Sequence, residues 1–163
     1  MYIRAVKKED VDAICTIYNN YIANTVVTFE EQQITSAEML KRIEKITADQ
    51  LPWLIAEDDS GQLIGYAYAS KWHDRYSYRF AVEVTIYLSS TATGKGVGTK
   101  LYQKLFNELK LKNIHTIIGC ITLPNAASVN LHEKLGMVKV AHFKEVGWKF
   151  EHWLDVGYWQ VIL

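Results

Sequence analysis

Seven residues, Gly94-Lys95-Gly96-Val97-Gly98-Thr99-Lys100, constrain this chain more than any others. They lie between a strand-like run, Ala81 to Leu88, and an amphipathic run, Val97 to Leu111. Glycines at a strand-to-helix junction let backbone N–H groups converge on an anion, and the helix N-terminus adds the positive end of its dipole. The segment reads as a phosphate-binding loop, against the plainer alternative of a flexible connection. It does not fit the Walker pattern Gly-x-x-x-x-Gly-Lys-Ser/Thr. A dinucleotide fingerprint needs Gly-x-Gly-x-x-Gly on the first βα unit, whereas here the spacing is Gly-x-Gly-x-Gly and the loop lies past mid-chain.

The rest of the chain supplies strands and helices in a readable order. Tyr2 to Val6 reads as a strand. Val11, Ile14, Cys15, Tyr18, Tyr21 and Ile22 recur at helical spacing behind Glu9 and Asp10. Ser36 is placed to cap a second helix bearing Met39, Leu40, Ile43 and Ile46. Trp53 to Glu57 and Leu63 to Ser70 form a hairpin around Asp58-Asp59-Ser60-Gly61. After the glycine loop and its helix come a strand, Thr116 to Thr122, and a helix, Asn125 to Leu135, stopped by Gly136. Two aromatic-rich strands, Val138 to Val146 and Trp153 to Leu163, close the chain. A crossover helix implies some parallel pairing and the hairpin implies antiparallel pairing, so the expectation is an α/β fold with a mixed sheet and helices on both faces.

Length and charge exclude several classes. At 163 residues the chain is expected to be one domain with a proper core. Eighteen Lys+Arg balance eighteen Asp+Glu, a poor match to sequence-independent nucleic-acid binding. Cys15 and Cys120 fit no metal spacing and read as two buried thiols in a reducing compartment. MYIRAVKKED has no apolar core of a secretory signal, and no run reaches the roughly 18 apolar residues a membrane span needs. The expected location is cytoplasmic, with no membrane partner.

Order and motifs together resemble the GNAT superfamily of acetyl-CoA-dependent N-acetyltransferases. The family's Gln/Arg-x-x-Gly-x-Gly/Ala loop falls on Thr93-Gly94-Lys95-Gly96-Val97-Gly98, with Thr93 departing from the usual Gln or Arg. A narrower resemblance is to the phosphinothricin and methionine-sulfoximine N-acetyltransferases. It is carried by Ile17-Tyr18-Asn19, by Glu83-Val84-Thr85-Ile86-Tyr87-Leu88, by Asn125 through His132-Glu133-Lys134-Leu135-Gly136, and by Gly147-Trp148-Lys149-Phe150 with Trp153-Leu154-Asp155-Val156. The resemblance implies a GNAT-like, mostly antiparallel central sheet and one N-acetyltransferase domain over residues 1–163. It also implies acetyl-CoA as cosubstrate with no metal, a small amine acceptor and a homodimer.

The chemistry asks for particular groups. Acetyl transfer needs a neutral amine, yet an α-amino group titrates near 8. A carboxylate can take that proton directly or through water. Strand alternation puts Glu83, Thr85 and Tyr87 on one face and Val82, Val84, Ile86 and Leu88 on the other. On pattern alone Glu83 is either a base or a solvated strand-face acid; the resemblance makes it the base. His132 stands where many GNAT enzymes carry a Tyr, and either protonates the leaving thiolate or only packs against the cofactor arm.

The resemblance assigns cofactor contacts to backbone at Ile86, Tyr87 and Leu88, to Gly94, Lys95, Gly96, Val97, Gly98 and Thr99, and to Asn125 and Lys134. On the acceptor side it points to Phe29, Glu30, Arg75, Tyr78 and Arg79. An arginine there would clamp an α-carboxylate bidentately. Alternatives are a GNAT enzyme for an aminoglycoside, polyamine or peptide N-terminus, and a non-catalytic acetyl-CoA sensor.

Overall fold

A computed structural model describes residues 1–163. Its strands are β1 (Tyr2–Ala5), β2 (Trp53–Glu57), β3 (Leu63–Lys71), β4 (Ala81–Leu88), β5 (Thr116–Leu123), β6 (Val138–Lys149) and β7 (His152–Ile162). The helices are α1 (Val11–Asn24), α2 (Ser36–Ala48), α3 (Val97–Leu111) and α4 (Ala126–Lys134). The strands form one seven-stranded sheet in the order β1-β2-β3-β4-β5-β7-β6. Every pairing is antiparallel except β4–β5, which α3 connects as a crossover. The expected mixed, mostly antiparallel sheet is therefore observed.

Two apolar clusters hold the layers together, one on each face of the sheet. Ile14, Tyr18 and Ile22 of α1 and Met39 and Ile43 of α2 pack on Trp53, Ile55, Tyr66 and Tyr87. Leu101, Tyr102, Leu105 and Leu109 of α3 pack on Val82, Val84 and Ile117 from the other side. Strand alternation feeds both: Val82 and Val84 point toward α3, and Tyr87 points toward α1. None of the helices is long and apolar enough to cross a membrane.

Three expectations need correction. The residue capping α2 is Thr35, whose hydroxyl accepts from the Glu38 N–H at 3.2 Å; Ser36 is the first helical residue and bonds Asp12 instead. Thr35 is the residue with extended backbone, and a cap needs that geometry. β6 continues to Lys149, past Val146, because Phe150 and Glu151 both adopt positive φ and close a two-residue hairpin. Phe-Glu carries no turn signal in sequence. Cys15 is buried but Cys120 is exposed, since β5 presents it on the open face. Among the aromatic residues of the last strands, Trp159 is a core residue whose indole donates to Glu133 at 3.1 Å.

Candidate active site

β4 and β5 are paired only at Ala81↔Thr116, Val82↔Ile117 and Glu83↔Ile118. Beyond that rung β4 runs on to Leu88 still paired with β3, and β5 runs on to Leu123 still paired with β7. The two strands part, and backbone groups from Thr85 to Leu88 face an opening. Such groups are strong donors and acceptors that need partners. The far end is closed by Tyr21, whose hydroxyl donates to the Leu88 carbonyl at 2.9 Å.

A groove of about 580 Å³ follows this opening to the start of α3. Ile86 and Leu88 form its floor; Gly94, Gly96, Gly98 and Thr99 form one end; Asn125 and Lys134 of the α4 segment form a wall. Gly96 is the N-cap of α3 and has φ +77°, a left-handed backbone that a side chain would strain. Gly98 approaches α4 so closely that an added Cβ would lie 3.2 Å from Leu131. Asn125 caps α4 by accepting from the Ser128 N–H at 3.1 Å. Lys95 is exposed; Val97 and the Tyr87 side chain are buried in the two cores, so those two residues offer only backbone. Sequence reasoning missed Tyr21 and Val27, which also line the groove. Both sit on or just after a helix read as core, with nothing in their spacing to mark them.

Glu83 stands at the last rung before the strands part. It is half-buried on the α1/α2 face, and burial pushes its carboxyl above the usual carboxylate range, with no charge or hydrogen bond offsetting the effect. A carboxylate whose pKa is raised by burial holds a proton more readily than an ordinary one, which suits a group that must accept one. Tyr68, near it on β3, is a neutral phenol pushed up to about 12, chiefly by burial.

The remaining acceptor-side candidates fall in two groups. Arg75 and Tyr78 line an exposed cleft of about 370 Å³ with His73 and Asp74. Arg79 is turned aside: its guanidinium lies 4.3 Å from the ring centres of both Tyr76 and Phe80 and donates to the Tyr76 carbonyl. Phe29 and Glu30 lie on the loop between α1 and α2. Phe29 covers Gly147, where any Cβ would collide with its ring. Glu30 accepts from Tyr18 at 2.8 Å and from both terminal nitrogens of Arg42 at 2.6 and 3.2 Å. Burial alone would raise the Glu30 carboxyl, but Arg42 and Tyr18 outweigh it and hold it low. The loop is pinned further by buried Lys149, which donates to the Thr28 carbonyl at 2.8 Å.

His132 lies on the opposite face of the sheet from Glu83. Only 3% exposed, it packs on Gly119, where a Cβ would come within 2.6 Å of the ring. Its Nδ1 bonds the Ser128 carbonyl at 2.7 Å, so Nδ1 carries the proton and Nε2 faces the Tyr102 hydroxyl at 3.4 Å. Burial lowers its pKa, which keeps the imidazole neutral at pH 7.

Residues 3–157 match the acetyltransferase (GNAT) domain model. The chain belongs to the GNAT acetyltransferase family. It is 36% identical over 158 residues to the phosphinothricin N-acetyltransferase of Streptomyces viridochromogenes, covering 97% of this chain and 85% of that protein. The solved phosphinothricin acetyltransferase of Sinorhizobium meliloti, determined with acetyl-CoA, superposes with a TM-score of 0.97 at 36% identity over 99% of this chain and 88% of that one. A ribosomal-protein-alanine N-acetyltransferase from Brucella melitensis gives the same TM-score at 32% identity with both chains fully covered. This GNAT chain is thus an acetyl-CoA-dependent N-acetyltransferase. The open strand edge and the glycine-lined groove fit such a cosubstrate, and no cluster of side chains suited to a metal ion occurs.

Proposed function

We propose that this enzyme acetylates the α-amino group of a small amino-acid-like acceptor of the phosphinothricin type, with Glu83 as general base. The observation that carries this reading is Glu83 itself: a half-buried carboxylate with raised pKa at the rung where β4 and β5 part. The cosubstrate supplies an acetyl thioester. Its phosphates meet the N–H groups at Gly94 to Thr99, and its amide-bearing arm pairs with Ile86 and Leu88 as an added strand would. Glu83 takes the ammonium proton, directly or through water. The freed nitrogen attacks the thioester carbonyl, the C–S bond breaks, a thiolate leaves, and the nitrogen gives up its second proton to that thiolate or to water.

A thiolate tolerates departure without a general acid. His132, neutral and bonded at both nitrogens, serves in this reading as a positioning residue beneath β5. Arg75 is the better carboxylate clamp, because Arg79 is committed to two aromatic rings and a carbonyl. The Brucella relative supports a second reading, in which the acceptor is a peptide N-terminus.

Assembly as a homodimer belongs to the same proposal. β6 is the sheet's edge strand, and Val138, Val140, Phe143, Trp148 and Trp153 are exposed on the last two strands. A long apolar edge left uncovered invites association.

Release of free CoA with phosphinothricin, methionine sulfone and methionine sulfoximine tests the function. Each is compared with its decarboxylated amine and with an alanine-initiated peptide. Preference for the free amino acid supports the reading, and preference for the peptide or the amine overturns it.

A further inference from the structure

The stretch Gly147-Trp148-Lys149 near the end of β6 takes no part in the proposed transfer. Strand alternation sends Gly147 and Lys149 to one face and Trp148 to the other. Trp148 is exposed and packs on Trp153 with ring centres 4.9 Å apart. On the opposite face the Phe29 ring covers Gly147 so closely that a Cβ there would lie 2.2 Å from it. Lys149 is 1% exposed, and its ammonium donates to the Thr28 carbonyl at 2.8 Å. It forms no ion pair. Burying an ammonium on one acceptor is costly, and an apolar side chain of the same length would pack there at less cost. What the cation gains is its hold on Thr28.

Thr28 lies on the loop between α1 and α2. On its inner side that loop is fixed to its own helices. The Thr28 and Tyr18 hydroxyls are 3.0 Å apart, and Glu30 is held by Tyr18 and Arg42. Those helices pack over β2, β3 and β4. The pairs Gly147↔Leu154 and Lys149↔His152 lie on the far side of β5, past its last pair with β7, Leu123↔Asp155. The loop therefore reaches across the opening between β4 and β5 on the face that carries Glu83. Val27, one residue before the held carbonyl, lines the cosubstrate groove.

We infer that Lys149 is a positioning residue, which seats the segment from Val27 to Glu30 as a roof over the opening and so sets how the acceptor reaches the thioester. Gly147 gives the Phe29 ring its place in the same seat. The inference rests on the reading that the acceptor's amine is deprotonated at Glu83, on the roofed face.

Lys149→Met keeps the length of the side chain and removes the donor. It should raise KM for methionine sulfone about tenfold, the lower end for a hydrogen bond to a charged group, with kcat and acetyl-CoA affinity held within about threefold. Gly147→Ala puts a methyl into the Phe29 ring, leaves Lys149 in place and should give the same split; it serves if Lys149→Met does not fold. A lower melting temperature with KM unmoved in both variants makes Lys149 a structural tie and overturns the inference. Hydrogen exchange reads the roof with no acceptor present. The Val27 and Glu30 amides, which donate to the Thr25 and Thr28 hydroxyls, should exchange about tenfold faster in Lys149→Met. Unchanged exchange overturns the inference while the transfer reading stands. Faster exchange, with no turnover of the sulfone by wild type, supports the seat and sinks the acceptor reading.

Discussion

Glu83 and Ile118 form the last rung at which β4 and β5 lie side by side. Three residues further along, at Ile86, β4 begins to line the groove. A carboxylate at that branch point sits where the acceptor's proton and the cosubstrate's carbonyl have to meet in the proposed reaction.

Replacing Glu83 by Gln keeps the size of the side chain and removes its basicity. The expected loss in kcat is about 100- to 10,000-fold, with acetyl-CoA affinity unchanged. Stability should move the other way. A carboxyl whose pKa is raised on folding binds its proton more tightly in the native state, so its ionised form weakens the fold above that pKa. Glu83→Gln should therefore melt no lower than wild type at pH 7, and a scanning calorimeter reads this directly. A variant with near wild-type kcat would make Glu83 a structural acid.

The pH profile follows from the same residue. As a base Glu83 works only when ionised, so kcat/KM should rise with pH through an apparent pKa above the ordinary carboxylate value. Because Glu83 takes its proton from the ammonium form, the acceptor contributes a decline as pH passes the pKa of its own amine. Comparing acceptors of different amine pKa tells the two limbs apart: only the upper one moves with the acceptor.

Binding of the cosubstrate should be most sensitive at the glycines. Val at position 96 must adopt a left-handed backbone, a cost of about 1–2 kcal/mol, and at position 98 its Cβ would crowd the Leu131 side chain at 3.2 Å. Gly96→Val and Gly98→Val should each weaken acetyl-CoA by tenfold or more in a titration, with circular dichroism close to wild type. Unchanged affinity in both would place the phosphates elsewhere.

His132→Phe should separate positioning from acid catalysis. It deletes the bond to Ser128 and crowds Gly119, so the melting temperature should fall by several degrees, about 2–4 °C per kcal/mol at this size. If the imidazole only positions, kcat falls less than tenfold and the shape of the pH profile is retained. A loss rivalling that of Glu83→Gln, with an altered alkaline limb, would restore it as the acid.

Light scattering at micromolar concentration should give a dimer's mass. Val140→Lys together with Trp153→Lys, both on exposed positions of the last hairpin, should shift it to the monomer. A monomeric wild type refutes the proposed assembly.

Most of this fold was legible because its signals are local. Apolar periodicity marks each helix, alternation marks β4, and glycines mark the start of α3. The misses share a cause: they depend on partners distant in sequence or on backbone geometry that residue type conceals. The turn at Phe150-Glu151 is one, since neither residue favours positive φ. Glu30 is another. Its place after the first helix was readable, but its engagement by Arg42 across twelve residues was not. The stack of Trp53 on Tyr68 is a third, because the two read only as strand residues until β2 and β3 bring them together.

The parting of β4 from β5 has a mechanical consequence. The sheet is two plates, β1 to β4 and β5 to β7, joined along three residue pairs and braced by α3. A molecule that bridges the gap works as a seam between them. Its binding energy is then spent partly on rigidity. Amides of Ile86 and Leu88 should exchange with solvent far more slowly once acetyl-CoA is bound, and the whole molecule should melt at a temperature that climbs with cosubstrate concentration. On this view the enzyme finishes its own sheet each time it loads the acetyl donor, and it opens the sheet again each time CoA departs.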